Sequence, residues 1–194
     1  NNSIKYKIFG NGSNIIVSDK DYDGVIIKLT NLNKLKIDKT LIEVESGYSL
    51  MKLANDVIKL GLSGLEFACG IPGTVGGAVY MNAGAYKLSI SDILIDALVL
   101  DENMNIITLN NEDLKFKYRS SFFQTHKNYI CIEATIKLKY GSKKLIKEVI
   151  EDSFKETNFT FDEVRRLNAD NRIQAFIGNF IAEDYIDQGH LGPF

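Results

Sequence analysis

An α+β fold is predicted by three observations: strand patterns crowd the first 45 residues, one amphipathic helical stretch follows them, and the later signals do not alternate as strict βαβ repeats. The early strands are read at residues 4–9, 14–17, 24–29, 34–37 and 41–45, as apolar runs separated by Gly, Asn and Asp clusters. Ser49 then stands at an N-cap position, and Leu50, Leu53, Ala54, Val57 and Ile58 recur at helical spacing until Gly61 ends the pattern. Residues 93–100 and 105–109 read as a hairpin turning at 101–104, and 129–139 alternates apolar and polar as a half-buried strand does. From Ser142 the pattern changes. Leu145, Ile146, Val149, Ile150 and Phe154 mark one helix face, and Thr160 with Glu163 forms a capping box that opens a second helix. The expected organisation is a domain over residues 1–140 and a helical C-terminal segment over 141–194. The strand at 4–9 has no earlier element to pair with, so the first layer of that domain is expected to be truncated.

Composition narrows the function classes. The chain has 194 residues, 45% of them hydrophobic and 25% charged, enough for a substantial core. Its 23 basic and 25 acidic residues give a formal net charge of −2, with no basic stripe to attract nucleic acid. No stretch approaches the ~20 apolar residues that a membrane span requires, and residues 1–10 lack the apolar centre of a signal peptide, so a cytoplasmic location is expected. Cys69 and Cys131, with only His126 and His190 to complement them, are too few for a disulfide framework or a metal site. Both cysteines read as small buried hydrophobes.

The chemistry concentrates in glycine. Residues 64–86, GLEFACGIPGTVGGAVYMNAGAY, hold six of the 15 glycines and one of the two prolines. Gly70, Gly73, Gly76, Gly77 and Gly84 admit positive φ or close backbone approach, and Pro72 fixes a dihedral between them, which is the composition of a phosphate cradle. A second glycine turn, Gly10, Asn11, Gly12, Ser13 and Asn14, suits an anion nest, although Asn-Gly between strands is equally the signal of a hairpin. Neither G-x-x-x-x-G-K-[ST] nor G-x-G-x-x-G after a strand is present, so neither a P-loop nor a Rossmann site is supported.

The segments GNGSNIIVSD, GLEFACGIPGTVGGAVYMNAGAY and YRSSFF, in this order and with the strand GVIIKL after the first, resemble the UDP-N-acetylenolpyruvoylglucosamine reductases, flavoenzymes of peptidoglycan synthesis. The likeness spans residues 5–140. It implies the FAD-binding fold of the vanillyl-alcohol oxidase/PCMH type, in which two α+β subdomains enclose the flavin. It further implies that residues 10–14 and Gly70, Ile71, Pro72, Gly73, Thr74, Gly76, Gly77 and Ala78 wrap the FAD pyrophosphate, which preorganised N–H groups bind without lysines. Asn82, Gly84, Ala85 and Tyr86 are then expected against the flavin and the nearby substrate. Tyr118, Arg119 and Ser121 fall in the substrate-facing segment, with Arg119 as the catalytic residue that meets the enolpyruvyl carboxylate. An arginine after a tyrosine in a β-rich region is, on its own, ordinarily a surface residue. Its planar fork nevertheless suits a carboxylate and keeps its charge at every relevant pH.

The implied reaction uses NADPH to reduce FAD, and the reduced flavin then delivers hydride to a UDP-sugar enolpyruvyl ether, giving UDP-N-acetylmuramate. Two parts of the family's pattern are missing. The serine or cysteine that donates the proton and the glutamate near the C-terminus have no counterpart; Ser153 lacks the leading glycine and falls in a predicted helix. Glu183, Asp184 and Asp187 read as the solvated side of an amphipathic segment, and His190 as a loop residue. A non-catalytic binding descendant of the fold is therefore the rival reading, with another FAD-linked oxidase of the same fold behind it. Loss of the first layer would expose apolar sheet, so either a homodimer or the chain's own C-terminal helices are expected to cover it.

Overall fold

The computed structural model describes residues 4–155. The strands are β1 (Tyr6–Phe9), β2 (Val25–Lys28), β3 (Leu35–Asp38), β4 (Leu41–Glu45), β5 (Leu62–Ser63), β6 (Gly84–Ala85), β7 (Leu88–Ser89), β8 (Leu94–Leu100), β9 (Ile106–Asn110), β10 (Ile130–Lys137) and β11 (Lys139–Tyr140). The helices are α1 (Leu50–Lys59), α2 (Val75–Met81) and α3 (Lys143–Lys155). Five strands form the main sheet, in the order β3-β4-β10-β8-β9, with every neighbour antiparallel. The period of two decides which face is buried. Ile42 and Val44 on β4, Ala97 and Val99 on β8, and Ala134 and Ile136 on β10 are all sealed from water, whereas Glu43, Glu45, Asp96 and Thr135 between them are half-buried on the other face.

The helices cover that apolar face. Ser49 caps α1 as its position predicted, accepting from the Lys52 amide at 3.3 Å, and Leu50, Leu53, Ala54 and Val57 all turn inward. Helix α2 lies against β4 and β10, and α3 packs on α1, sending Ile146 and Ile150 into the same core. The expected α+β class, the α1 helix and the 93–109 hairpin are all present. Cys69 and Cys131 are buried, and burial pushes both thiols up to about 12, so they act as small hydrophobes.

Near the N-terminus one expected strand is absent and one of the two readings of a turn is excluded. Residues 14–17 form no strand, because the apolar run Ile15, Ile16, Val17 finds no neighbouring strand; Ile16 is 84% exposed. Strands β1 and β2 pair in parallel, Tyr6 opposite Val25 through Phe9 opposite Lys28, so residues 10–14 cannot be a hairpin turn. They are instead the start of a crossover, which leaves the nest reading standing. The Thr160 and Glu163 capping box, and Glu183, Asp184, Asp187 and His190, lie outside the described residues. Among the described residues no helix is long and apolar enough to cross a membrane, and no cluster of His, Cys, Asp and Glu is placed to hold a metal.

Candidate functional site

The two glycine turns meet although about sixty positions of chain separate them. Ser13 Oγ donates to the Pro72 carbonyl at 3.1 Å, and a Cβ added to Gly73 would come within 3.0 Å of that hydroxyl. A Cβ on Gly10 would overlap Thr74 Oγ1. Both contacts require glycine for closeness, and Gly73, at φ +135°, requires it for conformation as well. Gly12 differs: its φ is +79°, it is exposed, and no heavy atom lies within 4 Å of its Cβ position, so its backbone faces open space.

Thr74 anchors the clamp to α2. Its backbone is extended (φ −110°, ψ 159°) and its Oγ1 accepts from the Gly77 amide at 3.3 Å, an N-cap that the glycine-rich composition concealed. The next amides are also taken within the protein: Val75 N donates to Tyr48 O at 2.9 Å and Gly76 N to Ser46 O at 2.7 Å. Gly76 therefore serves the cradle by shape; its own Cβ would fall 2.6 Å from Ser46 Cβ. Ser46 had no signal in the sequence. It is 1% exposed, and its hydroxyl lacks a hydrogen-bond partner among the described residues.

Helix α2 ends at the second half of the site. Asn82 takes the left-handed cap conformation (φ 44°, ψ 54°), tolerable for asparagine, and buries its amide. Nδ2 donates to the Lys117 carbonyl at 3.0 Å, and Oδ1 accepts from the Ser91 amide at 3.0 Å. One partner sits at the root of the turn carrying Tyr118 and Arg119; the other follows the hairpin of β6 and β7, whose tip is Tyr86 and Lys87. Gly84 and Ala85, expected near the flavin, form β6 itself.

The Arg119 turn is closed by two backbone bonds, Lys117 N to Ser120 O at 3.0 Å and Ser120 N to Lys117 O at 3.1 Å. Arg119 holds a positive φ of 51°, its carbonyl accepts from Gln124 Nε2 at 2.9 Å, and its guanidinium lies 5.8 Å from the Tyr118 ring centroid. Tyr118 is exposed and Arg119 half-buried, a placement open to an anionic ligand. Ser121 is buried and donates to the Tyr80 carbonyl at 2.7 Å, so its hydroxyl fastens this segment to α2. Partial burial raises the Tyr80 hydroxyl above the usual tyrosine range and keeps it neutral.

The arrangement fits a ligand that carries a diphosphate at one end and a reacting group at the other. Two glycine turns close on each other at the first end, with open left-handed backbone at Gly12; a cation on a held turn stands at the second. Residues 10–14 and 70–73 are the groups that could hold such a diphosphate.

Known proteins place this geometry in a family. Residues 1–110 match the FAD binding domain family. Over 150 residues the chain is 45% identical to the UDP-N-acetylenolpyruvoylglucosamine reductase of Clostridium perfringens, covering 77% of this chain and 49% of that protein. The chain thus spans about half the length of the curated relatives it matches. The crystal structure of UDP-N-acetylenolpyruvylglucosamine reductase from Thermus caldophilus matches with a TM-score of 0.70 at 30% identity, over 81% of this chain and 57% of that one. Phl p 4.0202, a glucose dehydrogenase, shares the fold at a TM-score of 0.58 and 15% identity, over 73% of this chain and 31% of that one. The expected FAD-binding fold of the vanillyl-alcohol oxidase/PCMH type holds. With more than half of its length matched, the chain belongs to the FAD binding domain family.

Proposed function

We propose that this chain carries the flavin-holding part of a cytoplasmic UDP-N-acetylenolpyruvoylglucosamine reductase, with residues 1–140 as its FAD-binding domain. The reaction reduces the enolpyruvyl ether of UDP-N-acetylglucosamine to UDP-N-acetylmuramate with electrons from NADPH, in peptidoglycan precursor synthesis. The observation that carries the reading is the hydrogen bond from Ser13 to Pro72, which closes two glycine turns of distant sequence into one clamp.

When bound, FAD supplies the hydride carrier that the side chains lack. Residues 10–14 and 70–73 bind its diphosphate through backbone groups, and the fixed turns keep that site assembled before the ligand arrives. Arg119 pairs its planar fork with the carboxylate next to the reacting double bond, orienting it and stabilising the negative charge that develops there. Gln124 and Asn82 hold the backbone that aims the guanidinium. Tyr86 and Tyr118 offer exposed rings at the two turn tips for contact with substrate.

Titrating the purified full chain with FAD, and following the flavin absorption bands, tests the reading. The protein is expected to turn yellow. Arg119→Ala is expected to keep FAD while losing ~10²–10³-fold in turnover of NADPH with the enolpyruvyl substrate. A chain that stays colourless after FAD is added overturns the proposal. One that binds FAD and is indifferent to Arg119→Ala is a non-catalytic binding module.

A further inference from the structure

Seven non-glycine residues have positive φ among the described residues, and four of them lie here: Tyr86, Lys87 and Arg119 on the two turns, and Asn82 at the helix cap whose amide joins them. Tyr86 (φ 52°) and Lys87 (φ 66°) are both central residues of the two-residue loop between Ala85 and Leu88. Positive φ at both positions is the type I′ pattern, which Asn-Gly adopts readily and which Tyr-Lys adopts only at a conformational cost. Such strain collects where a side chain is needed in one particular place.

The two turns repeat one chemistry. Each presents a tyrosine followed by a cation, Tyr86 and Lys87 on one, Tyr118 and Arg119 on the other. Each is rooted on the same buried amide, since Asn82 bonds Lys117 two residues before Arg119 and Ser91 just beyond the hairpin. The hairpin base is fixed as well: Asp92 accepts from Ser89 N at 2.7 Å and from Ser89 Oγ at 3.0 Å. That carboxylate is directed to the base, away from the tip, and no described carboxylate forms an ion pair with the exposed Lys87 ammonium. The cations also differ in kind. A guanidinium fork matches a planar carboxylate, whereas an ammonium is a compact point charge suited to phosphate.

We infer that Lys87, on a turn anchored through Asn82 as the Arg119 turn is, is a specificity-determining anion contact for a phosphate of a nucleotide ligand other than FAD. The inference rests on the reductase reading, in which two ligands carry such a phosphate: the UDP-sugar and NADPH. The shared chemistry is a nucleotide phosphate on the Lys87 ammonium, and the two sources separate by experiment.

Lys87→Gly is the informative variant, because glycine relieves the left-handed strain while removing the charge. The FAD-loaded full chain and this variant are titrated with UDP and with NADP⁺ separately, and their melting temperatures and FAD affinities are measured alongside. Lys87→Gly is expected to melt no lower than wild type, to hold FAD equally well, and to bind one of the two nucleotides about tenfold more weakly, the loss of one charged phosphate contact. Loss confined to UDP assigns the sugar nucleotide; loss confined to NADP⁺ assigns the reductant. Lys87→Asn, which also tolerates positive φ, is expected to show the same loss, and Lys87→Arg to recover most of it. Binding of both nucleotides within twofold of wild type overturns this inference alone. A wild-type chain that binds FAD but neither nucleotide overturns the reductase reading and this inference with it.

Discussion

The clamp near the N-terminus of α2 and the pair of turns beyond its C-terminus both bend the backbone into left-handed conformations, but they do so with different residues. In the clamp those positions belong to Gly12 and Gly73. In the turns they belong to Tyr86, Lys87 and Arg119, where a Cβ makes the same conformation costly. The first region is organised by what its residues lack, since Gly10, Gly73 and Gly76 all sit where an added methyl meets Thr74, Ser13 or Ser46. The second keeps large side chains despite the strain. Shape is thus the currency of the end that would grip FAD, and charge and rings are that of the end that would face substrate. Substitutions that add bulk should break the first, and substitutions that loosen anchoring should break the second.

The largest effect is expected from Gly10→Ala. The new methyl overlaps Thr74 Oγ1, so either the turn moves away from α2 or Thr74 rotates and abandons its cap on Gly77. Overpacking and a lost cap together cost about 3 kcal/mol. At the usual ~2–4 °C per kcal/mol for a chain of this size, thermal unfolding should fall by roughly 6–12 °C, with FAD affinity falling too. Equal melting and equal flavin binding in Gly10→Ala would mean that the two turns do not need to touch.

Asn82 tests the other region. Asn82→Ala leaves the Lys117 carbonyl and the Ser91 amide without their partner, a loss of about 2 kcal/mol, and frees both turns at once. Asn82→Asp sharpens the result. Its carboxylate still accepts from Ser91 but no longer donates to Lys117, so the Arg119 turn alone loses its tether. The expected signature is a raised KM for the carboxylate-bearing substrate with FAD binding unchanged. If the aspartate variant instead loses FAD, Asn82 serves the cofactor end and the division between the regions fails.

How much of this was legible follows from how far apart the interacting residues are. Helix α1 and strands β3, β4, β8, β9 and β10 declare themselves through local periodicity, because each buries one face against the same core. The glycine turns were visible as composition. Their meeting was not, since the bond between Ser13 and Pro72 joins residues that no local pattern relates. The same holds for Asn82 with Lys117 and for Ser46 with Gly76. Ile15, Ile16 and Val17 mimic a strand because a short apolar run carries strand propensity, yet pairing decides strands, and here no partner is in reach. The parallel direction of β1 and β2 is likewise a tertiary fact, and it alone separates a nest from a hairpin at residues 10–14.

The smallest effect should come from Ser46, where the clamp's reliance on shape meets a polar atom. Its hydroxyl is buried against Gly76 and finds no partner among the described residues, while its carbonyl takes the Gly76 amide at 2.7 Å. A buried unpaired hydroxyl carries its desolvation penalty without compensation, and alanine keeps the carbonyl and the Cβ that Gly76 packs upon. Ser46→Ala is therefore expected to stabilise the fold by about 1 kcal/mol, read as a small rise in unfolding temperature, without altering flavin binding. A fall in stability of that size would show that the hydroxyl has a partner of its own, an ordered water among the candidates, and that this corner of the clamp is held by polarity as well as by shape.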